Sequence, residues 1–249
     1  MPDAAFDDPR LAAIYDALDP DRSDLDMYVA IVDEFGARSV LDIGCGTGVF
    51  ALMLAERGIE VIGVDPAGAS LDVARSRPGA DRVTWIHGDA SVILPTVSVD
   101  MVTMTANVAQ VFPTDADWLA TLAAAHAALR PGGRLIFESR DPARRAWEQW
   151  TEALTRSTTD IPGVGRVTDW VQVTEVSHDR ELVTFESPNL FEADGTVITS
   201  RSTLRFRSRQ AIEASLRGTG FTLDAIRDAP DRPGRELVFV AQRPTLPES

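Results

Sequence analysis

Residues 39–48, Ser-Val-Leu-Asp-Ile-Gly-Cys-Gly-Thr-Gly, decide the fold of this chain. The apolar first half predicts a short buried strand, and the alternating glycines Gly44, Gly46 and Gly48 predict a tight turn. Residues 49–57 then predict a helix that begins directly after the turn. A strand that runs through glycines into a helix N-terminus is a nucleotide-binding arrangement, because a ligand can approach bare backbone and bind the free first-turn N–H groups.

The spacing of the glycines separates two classes of nucleotide site. The dinucleotide fingerprint is G-x-G-x-x-G/A, but here the third glycine comes one residue early and Val49 occupies the last position. Asp42 also lies inside the strand end, where a carboxylate would repel a pyrophosphate but would suit an ammonium group. Both features argue against a nicotinamide oxidoreductase. The alternative without any ligand is a tight turn with a purely structural role.

Acidic residues follow the next two predicted strands. The strand that begins at Glu60 ends in Asp65, 17 residues after Gly48, where an acid accepts hydrogen bonds from ribose hydroxyls in such units. Asp89 follows a strand that begins at Val83. The structural alternatives are a helix N-cap for Asp65, which the following proline favours, and a turn acid for Asp89.

The pattern Asp42-x-Gly44-x-Gly46-x-Gly48 resembles motif I of class I S-adenosylmethionine (SAM) methyltransferases of the small-molecule type. The resemblance is strong over residues 36–140 and weak elsewhere. It implies an α/β fold, with a Rossmann-like, seven-stranded, mostly parallel sheet and helices on both faces. It also implies SAM as the cofactor and S-adenosylhomocysteine as the product.

The resemblance assigns cofactor contacts residue by residue. Asp42 with the loop backbone would orient the amino-acid half of SAM, Asp65 would hold the ribose, and Asp89 would accept the adenine amino group. Asn107 and Val108 follow the fourth strand, where the family lines the methyl-transfer site. The complete set of expected cofactor contacts is Tyr15, Asp42, Gly44, Cys45, Gly46, Asp65, Pro66, Gly88, Asp89, Ala90, Asn107 and Val108.

The chain divides into four predicted parts. Residues 1–35 are a helical segment, frayed over its first ten residues, which the resemblance makes a lid over the cofactor. Residues 36–140 are the SAM-binding α/β core. Residues 141–207 are an insertion that forms a roof over the substrate side, and residues 208–249 return to the core and end in a tail.

The insertion departs from the strand-helix alternation of the core. We predict a helix over residues 142–155, followed by antiparallel strands over 166–176, 181–191 and 196–206. Asp194-Gly195 between two β-like runs is a hairpin signal. The exposed edges of a three-stranded roof could pair between subunits, which would give a homodimer.

Composition limits the partners. The chain has 249 residues and a net charge of −14, and all 24 of its basic residues are arginine. Such an acidic surface argues against nucleic acid, so we expect a small-molecule methyl acceptor. No apolar run is long enough to span a membrane, and the first ten residues are too polar for a secretory signal. Cys45 is the only cysteine, which fits a cytoplasmic location, and we expect no metal.

The sequence offers no decisive catalytic base, so the catalytic residue is unknown at this stage. His87, His126 and His178 each have a structural or surface interpretation. Glu138 and Arg140 lie near the tip of the fifth strand, and Arg140 could pair with an anionic substrate group, although a surface role is favoured for both. The leading hypothesis is a SAM-dependent methyltransferase acting on N, O or C of a small molecule. The alternative is a SAM-binding sensor or a catalytically inactive partner subunit.

Overall fold

The computed structural model describes residues 2–245 of the chain. Met1 and residues 246–249, the last part of the predicted tail, lie outside the described residues. The strands are β1 (Ser39–Ile43), β2 (Glu60–Asp65), β3 (Val83–His87), β4 (Val99–Met104), β5 (Leu129–Arg140), β6 (Ser157–Ile161), β7 (Gly165–Asp169), β8 (Gln172–Val176), β9 (Leu182–Phe191), β10 (Thr196–Arg205), β11 (Thr222–Asp228) and β12 (Glu236–Gln242). The α-helices are α1 (Ala4–Asp7), α2 (Pro9–Leu18), α3 (Asp26–Glu34), α4 (Val49–Glu56), α5 (Gly68–Ser76), α6 (Asp115–Ala128), α7 (Glu152–Thr155) and α8 (Arg209–Gly218).

The main sheet contains seven strands in the order β11-β12-β5-β4-β1-β2-β3. Its five strands from β3 to β5 are parallel, whereas β12 runs antiparallel to β5 and β11 runs antiparallel to β12. The parallel pairs that are consecutive in the chain, β1–β2, β2–β3 and β4–β5, are joined by helices α4, α5 and α6, because parallel neighbours cannot be connected by a tight turn. The predicted Rossmann-like, mostly parallel sheet is confirmed.

Apolar side chains cover both faces of this sheet. On one face, α6 and α8 pack through Trp118, Leu122 and Leu216 against strand residues such as Phe137. On the other face, α3 and α4 form a second apolar layer in which Tyr28 and Phe50 are buried. Strands buried on both faces read as nearly continuous apolar runs, which is why the short stretch before the glycine loop identifies β1.

A separate antiparallel sheet forms the roof, as predicted, but it has more strands than the sequence indicated. Its order is β10-β9-β7-β6, and β8 pairs with another part of β9. The strand predicted over residues 166–176 is divided into β7 and β8 by Trp170 and Val171, and β6 was not predicted at all. β6 is the polar sequence Ser-Thr-Thr-Asp-Ile, which lacks the apolar pattern that marks a buried strand.

The helix predicted over residues 142–155 was wrong for most of its length. Two 3₁₀ turns, Pro142–Arg144 and Ala146–Gln149, precede the four-residue helix α7. Arg145 interrupts the helical run because its backbone adopts the left-handed conformation, with φ at 45°. This break lets Trp147 pack edge-on against Phe206, with ring centroids 4.5 Å apart, so tertiary packing overrides local helix propensity.

Residues 2–10, which belong to the stretch predicted to be frayed, are instead held by tertiary contacts. The backbone N–H of Ala5 donates to Ser200 Oγ in the roof at 2.9 Å, and Ser70 Oγ of α5 donates to the Phe6 carbonyl at 2.7 Å. Leu11 and Ile14 of α2 are buried in an apolar cluster with roof residues. The N-terminal segment therefore bridges the roof and the main sheet. No helix among residues 2–245 combines the length and the apolar character needed to cross a membrane.

Candidate active site

The candidate site lies at the carboxyl ends of the parallel strands. β1 has β2 on one side and β4 on the other, so the order of connections reverses between β1 and β4. Open α/β sheets bind ligands in the crevice at such a switch point. The glycine loop leaves the end of β1, and the loop of residues 105–108 leaves the end of β4.

Two glycines of the loop have different structural requirements. Gly44 has φ at +76°, and a Cβ there would lie 2.5 Å from Cγ2 of Val108, so only glycine allows the two loops to touch. Gly46 has φ at +53°, and a Cβ there would meet nothing within 4 Å. Gly44 therefore serves the packing of the protein itself, whereas the loop at Gly46 borders open space that a ligand could fill.

Asp42 is buried at the end of β1, with 1% of its surface exposed. Its Oδ1 accepts a hydrogen bond from Thr103 Oγ1 at 2.8 Å, while its Oδ2 is buried and has no partner among the described residues. Burial raises the pKa of Asp42 to about 7. A buried carboxylate oxygen without a partner is costly, and a cationic group of a ligand would satisfy it.

Asp65 connects the glycine loop to the start of α5. Its Oδ2 accepts from the Gly46 N–H and its Oδ1 accepts from the Ala67 N–H, both at 2.8 Å. Burial raises the pKa of this carboxyl group. Asp65 therefore accepts a hydrogen bond at the start of α5, which is the structural role expected as the alternative to a ligand contact. Each oxygen still has a second lone pair for a ligand hydroxyl.

The residues expected near adenine lie after β3. Asp89 accepts from the Ser91 N–H at 2.8 Å at the start of a 3₁₀ turn that begins with Ala90, and this bonding lowers its pKa. A Cβ on Gly88 would lie 2.8 Å from Val92 Cγ1. The carbonyl of Pro66 lies 3.0 Å from His87 Nε2 and so ties this segment to the tip of β2.

Cys45 is a buried thiol within the glycine loop. Burial raises its pKa well above the ordinary value, so the thiol is inert rather than nucleophilic. Its contribution to any cofactor contact would come from its backbone.

A cavity of about 180 Å³ opens beside the ends of β4 and β5. Its walls come from the N-terminal segment, the loop after β4, the end of β5 and the segment from β11 into β12. The polar residues that matter most among its lining are Tyr15, Tyr28, Asn107, Glu138, Arg140 and Glu236.

Glu138 is buried in the wall of this cavity, with only 3% of its surface exposed. Its carboxylate accepts hydrogen bonds from the Tyr28 hydroxyl and from the Asn107 backbone N–H. Burial raises its pKa from the ordinary 4.5 to about 7, although both hydrogen bonds act in the opposite direction. The surface role expected for Glu138 was therefore wrong.

Asn107 links the cavity to the glycine loop. Its backbone has φ at +62° after Ala106 at +55°, two consecutive residues in a conformation that L side chains rarely adopt. Its side chain is 4% exposed; Nδ2 donates to Glu236 Oε1 at 3.2 Å, and Oδ1 is buried without a partner. Val108, the next residue, packs against Gly44.

Arg140 also belongs to the cavity wall and is partly buried there. Its Nη1 donates to Gln110 Oε1 at 2.9 Å, and its Nε lies 3.6 Å from Glu236 Oε1. Its guanidinium lies over the Trp150 ring at 5.5 Å. Protein groups thus already engage Arg140, which leaves little of its charge for an anionic substrate group.

The N-terminal segment contacts both sides of the site. Tyr15 lines the cavity and packs at 5.6 Å from the Phe6 ring. Asp16, its neighbour, accepts from Thr47 Oγ1 at 2.9 Å and pairs with Arg77 beside α5. Asp16 therefore attaches the N-terminal segment to the glycine loop, while Tyr15 faces the cavity.

The structure thus divides the predicted residues between two neighbouring places. The glycine loop, Asp42, Asp65 and the segment around Asp89 lie along the ends of β1, β2 and β3. Tyr15, Asn107 and Arg140 line the cavity at the other side of the switch point. Among residues 2–245, no group of three or more His, Cys, Asp or Glu side chains could hold a metal ion.

Sequence reasoning missed three functional candidates. Tyr28 lies in the apolar stripe of α3 and was interpreted only as a core residue. Glu236 begins β12, far from every motif, and Asp16 carries no local signal. Their partners within the site, Glu138, Asn107 and Thr47, are distant in the sequence, so no spacing could have indicated these contacts.

The segment that contains the glycine loop is similar to a known protein family. Residues 40–133 match the family model described as "Methyltransferase domain". Over this stretch the chain is similar to a methyltransferase domain. The match runs from β1 into the first part of β5, so it covers the glycine loop, Asp65, Asp89 and the loop after β4.

Two curated relatives match about half of this chain in sequence. The cypemycin N-terminal methyltransferase of a Streptomyces species is 35% identical over 106 residues, which are 43% of this chain and 43% of that protein. The malonyl-[acyl-carrier protein] O-methyltransferase of Serratia marcescens is 33% identical over 132 residues, 52% of this chain and 49% of that protein. These matches span less than half the length of the relatives.

Solved structures extend the likeness beyond the methyltransferase domain. The CcbJ methyltransferase of Streptomyces caelestis has a TM-score of 0.76 at 20% identity, covering 94% of this chain and 96% of that one. SAM-bound CalS10, an amino pentose methyltransferase of Micromonospora echinaspora, has a TM-score of 0.69 at 24% identity, covering 92% and 96%. At these identities the likeness shows the fold, which here includes most of the chain.

Proposed function

We propose that this protein is a SAM-dependent methyltransferase that moves a methyl group to N, O or C of a small molecule. The observation that carries the proposal is the loop of residues 105–108, which is shared by two sites. Val108 packs against Gly44 of the glycine loop, and Asn107 lines the 180 Å³ cavity. A cofactor on the loop and an acceptor in the cavity would thus be neighbours, which is the positioning that group transfer requires.

The residues at the strand tips fit the chemical groups of SAM. The unpartnered Oδ2 of Asp42 suits an ammonium group, and the open space at Gly46 admits a ligand against bare backbone. Asp65 would accept from ribose hydroxyls, and the segment Gly88–Ala90 with Pro66 would border the adenine. When bound, SAM supplies a methyl carbon that an acceptor lone pair attacks while the carbon–sulfur electron pair leaves with sulfur.

The N-terminal segment would act as a lid over both sites. Asp16 fastens α2 to Thr47 and Arg77, while Tyr15 closes the cavity. A closed lid excludes water and strengthens the electrostatic interactions within the site. Opening would require release of the Asp16 contacts. The buried thiol of Cys45 suits the reducing cytoplasm in which we place this activity.

Formation of S-adenosylhomocysteine from SAM tests the proposal. The protein is incubated with SAM and a panel of small amines, alcohols and carbon acids, and the product is measured by chromatography. We expect turnover that depends on the acceptor added. Binding of SAM without acceptor-dependent turnover would contradict the proposal and favour a SAM-binding sensor or an inactive partner subunit.

A further inference from the structure

Resting on that proposed function, we infer that the acceptor is a small amine, and that Glu138 binds it as an ammonium ion and takes its proton. Three independent features of the cavity carry this inference: the pairing of its charges, the lone pairs left without donors, and its volume. Each concerns residues that line the cavity beside the loop after β4.

The buried charges of the cavity are paired, except at Glu138. Asp19 also lines the cavity and forms no ion pair with a described residue, but it is exposed to solvent. Glu236 has Arg232 at 2.8 Å and Arg140 at 3.6 Å. Asp24 and Asp231 at the rim pair with Arg22 and Arg232. Glu138, although buried, receives only neutral donors and has no arginine within 4.0 Å among the described residues. Buried carboxylates are normally paired with a cation, so this one is complementary to a cationic ligand.

A second acceptor stands beside this carboxylate. Oδ1 of Asn107 is buried without a hydrogen-bond partner, while Nδ2 of the same amide is engaged by Glu236. The Asn107 backbone also donates to Glu138, so the two acceptors belong to adjoining parts of one wall. An ammonium group has three N–H donors and can serve both acceptors, whereas a hydroxyl has only one donor.

The volume restricts the group that enters. The cavity has a volume of about 180 Å³. This is below the range of sites that enclose a whole drug-sized ligand. The cavity therefore admits a small amine, or one amino-bearing ring of a larger acceptor.

Proton transfer to Glu138 completes the chemistry. The ammonium nitrogen gives one proton to a carboxylate oxygen of Glu138 and keeps the electron pair of that N–H bond as the lone pair that attacks carbon. The products of this step are a neutral amine and a neutral carboxylic acid, so charge and protons balance. An aliphatic ammonium has a pKa of about 10, whereas a water-like hydroxyl has one near about 15.7. A carboxylate of raised basicity is therefore matched to the amine and not to an alcohol.

The ionisable groups around Glu138 come from three elements. Tyr28 faces it from α3, Arg140 from β5 itself, and Glu236 from β12. Burial raises the pKa of Tyr28 far above its ordinary value, so Tyr28 stays a neutral donor at every working pH. Glu236 raises and Arg140 lowers the pKa of Glu138, and these two charges oppose one another.

The inference predicts a specific pH dependence of amine binding. In the complex, the amine nitrogen and Glu138 share a single titratable proton. Above the pKa of Glu138, a protonated amine and an ionised Glu138 already hold that single proton. Below it, both partners are protonated and one proton must be released, so affinity falls about tenfold per pH unit.

The test measures binding rather than turnover. Protein saturated with S-adenosylhomocysteine is titrated by calorimetry with two matched pairs, cyclohexylamine and cyclohexanol, and D-glucosamine and D-glucose. We expect each amine to bind about tenfold or more tightly than its alcohol at about pH 8, and to weaken about tenfold at about pH 6. The Glu138→Gln variant should lose both the preference and the pH dependence. Glu213→Gln, at a surface acid of α8, should lose neither.

Titration with S-adenosylhomocysteine alone, before any amine is added, distinguishes failure of the proposed function from failure of this inference. Failure of this ligand to bind contradicts the proposed function itself. If it binds, then absence of amine binding, equal binding of amine and alcohol, or an amine preference that survives in Glu138→Gln overturns the inference. Should Glu138→Gln not fold, Tyr28→Phe keeps the carboxylate and removes a donor, so the pH midpoint of amine binding must move upward.

Discussion

The hydroxyl of Tyr28 donates a hydrogen bond to Oε2 of Glu138, across 110 positions of the sequence. This bond joins α3, which packs on the main sheet, to the end of β5 in the cavity wall. It stabilises the ionised form of the carboxylate and so partly offsets the effect of burial on its pKa. Tyr28 thus positions and tunes Glu138 rather than only filling the core.

Replacement of Tyr28 by phenylalanine should raise the pKa of Glu138 further. The variant keeps the aromatic packing against Phe50 but loses the donor to the carboxylate. We expect the midpoint to move upward by about one to two pH units, because a hydrogen bond to a charged group contributes about 1.5–3 kcal/mol. Infrared or carbon NMR titration of the Glu138 carboxyl group measures this midpoint. An unchanged midpoint would show that the bond does not tune Glu138.

Replacement of Glu138 by glutamine should change how stability depends on pH. In the folded wild type the pKa is about 7, above the ordinary 4.5, so between these values the folded state holds a proton that the unfolded state has lost. Wild-type stability therefore falls as pH rises through this window. Relative to wild type, the variant should gain up to about 1.4 kcal/mol per pH unit there. Urea unfolding at several pH values tests this. A difference in the free energy of unfolding that does not change with pH would contradict the raised pKa of Glu138.

Replacement of Asp42 by asparagine should weaken SAM binding and leave the fold intact. Asparagine can still accept from Thr103 Oγ1, but it removes the negative charge at the unpartnered oxygen. Loss of a charge-assisted hydrogen bond of about 1.5–3 kcal/mol corresponds to a weakening of about tenfold to a hundredfold. Calorimetry measures the affinity, and Asp72→Asn on the exposed face of α5 is the matched control. Equal affinities of the two variants would remove Asp42 from the cofactor site.

Replacement of Asp65 by alanine should weaken SAM binding without unfolding the chain. The carboxylate would no longer bond the ribose, and the N–H groups of Gly46 and Ala67 would lose their acceptor. Asp72→Ala serves again as the control, because that side chain pairs only with Arg75 on the same helix. Circular dichroism must show a folded protein in both cases. Unchanged SAM affinity in Asp65→Ala would reduce Asp65 to a helix-start residue.

The features that the sequence predicts depend on residues that are close together along the chain. The glycine loop, the acid at Asp65 and the hairpin signal at Asp194-Gly195 each depend on residues within a few positions of one another. They sufficed for the parallel sheet and the presence of an antiparallel roof. Hydrogen-bonded turns and periodic apolar residues are short-range features, so one sequence can show them.

The acceptor side of the site could not be predicted because its contacts are long-range. Glu138 resembles any acid at a strand tip until Tyr28 and Asn107 are placed against it. The ordering of residues 2–10 likewise depends on Ser70 in α5 and Ser200 in β10, both of which are distant in the sequence. Only the folded topology brings such residues together.

Calorimetric titration of the purified protein with SAM, S-adenosylhomocysteine and NAD tests the central claim most directly. The account predicts micromolar binding of both sulfur-containing ligands and none of NAD, because Asp42 suits an ammonium group and opposes a pyrophosphate. A folded protein that binds neither sulfur ligand, or that binds NAD instead, would contradict the account. The glycine loop would then be a structural turn or a site for another nucleotide.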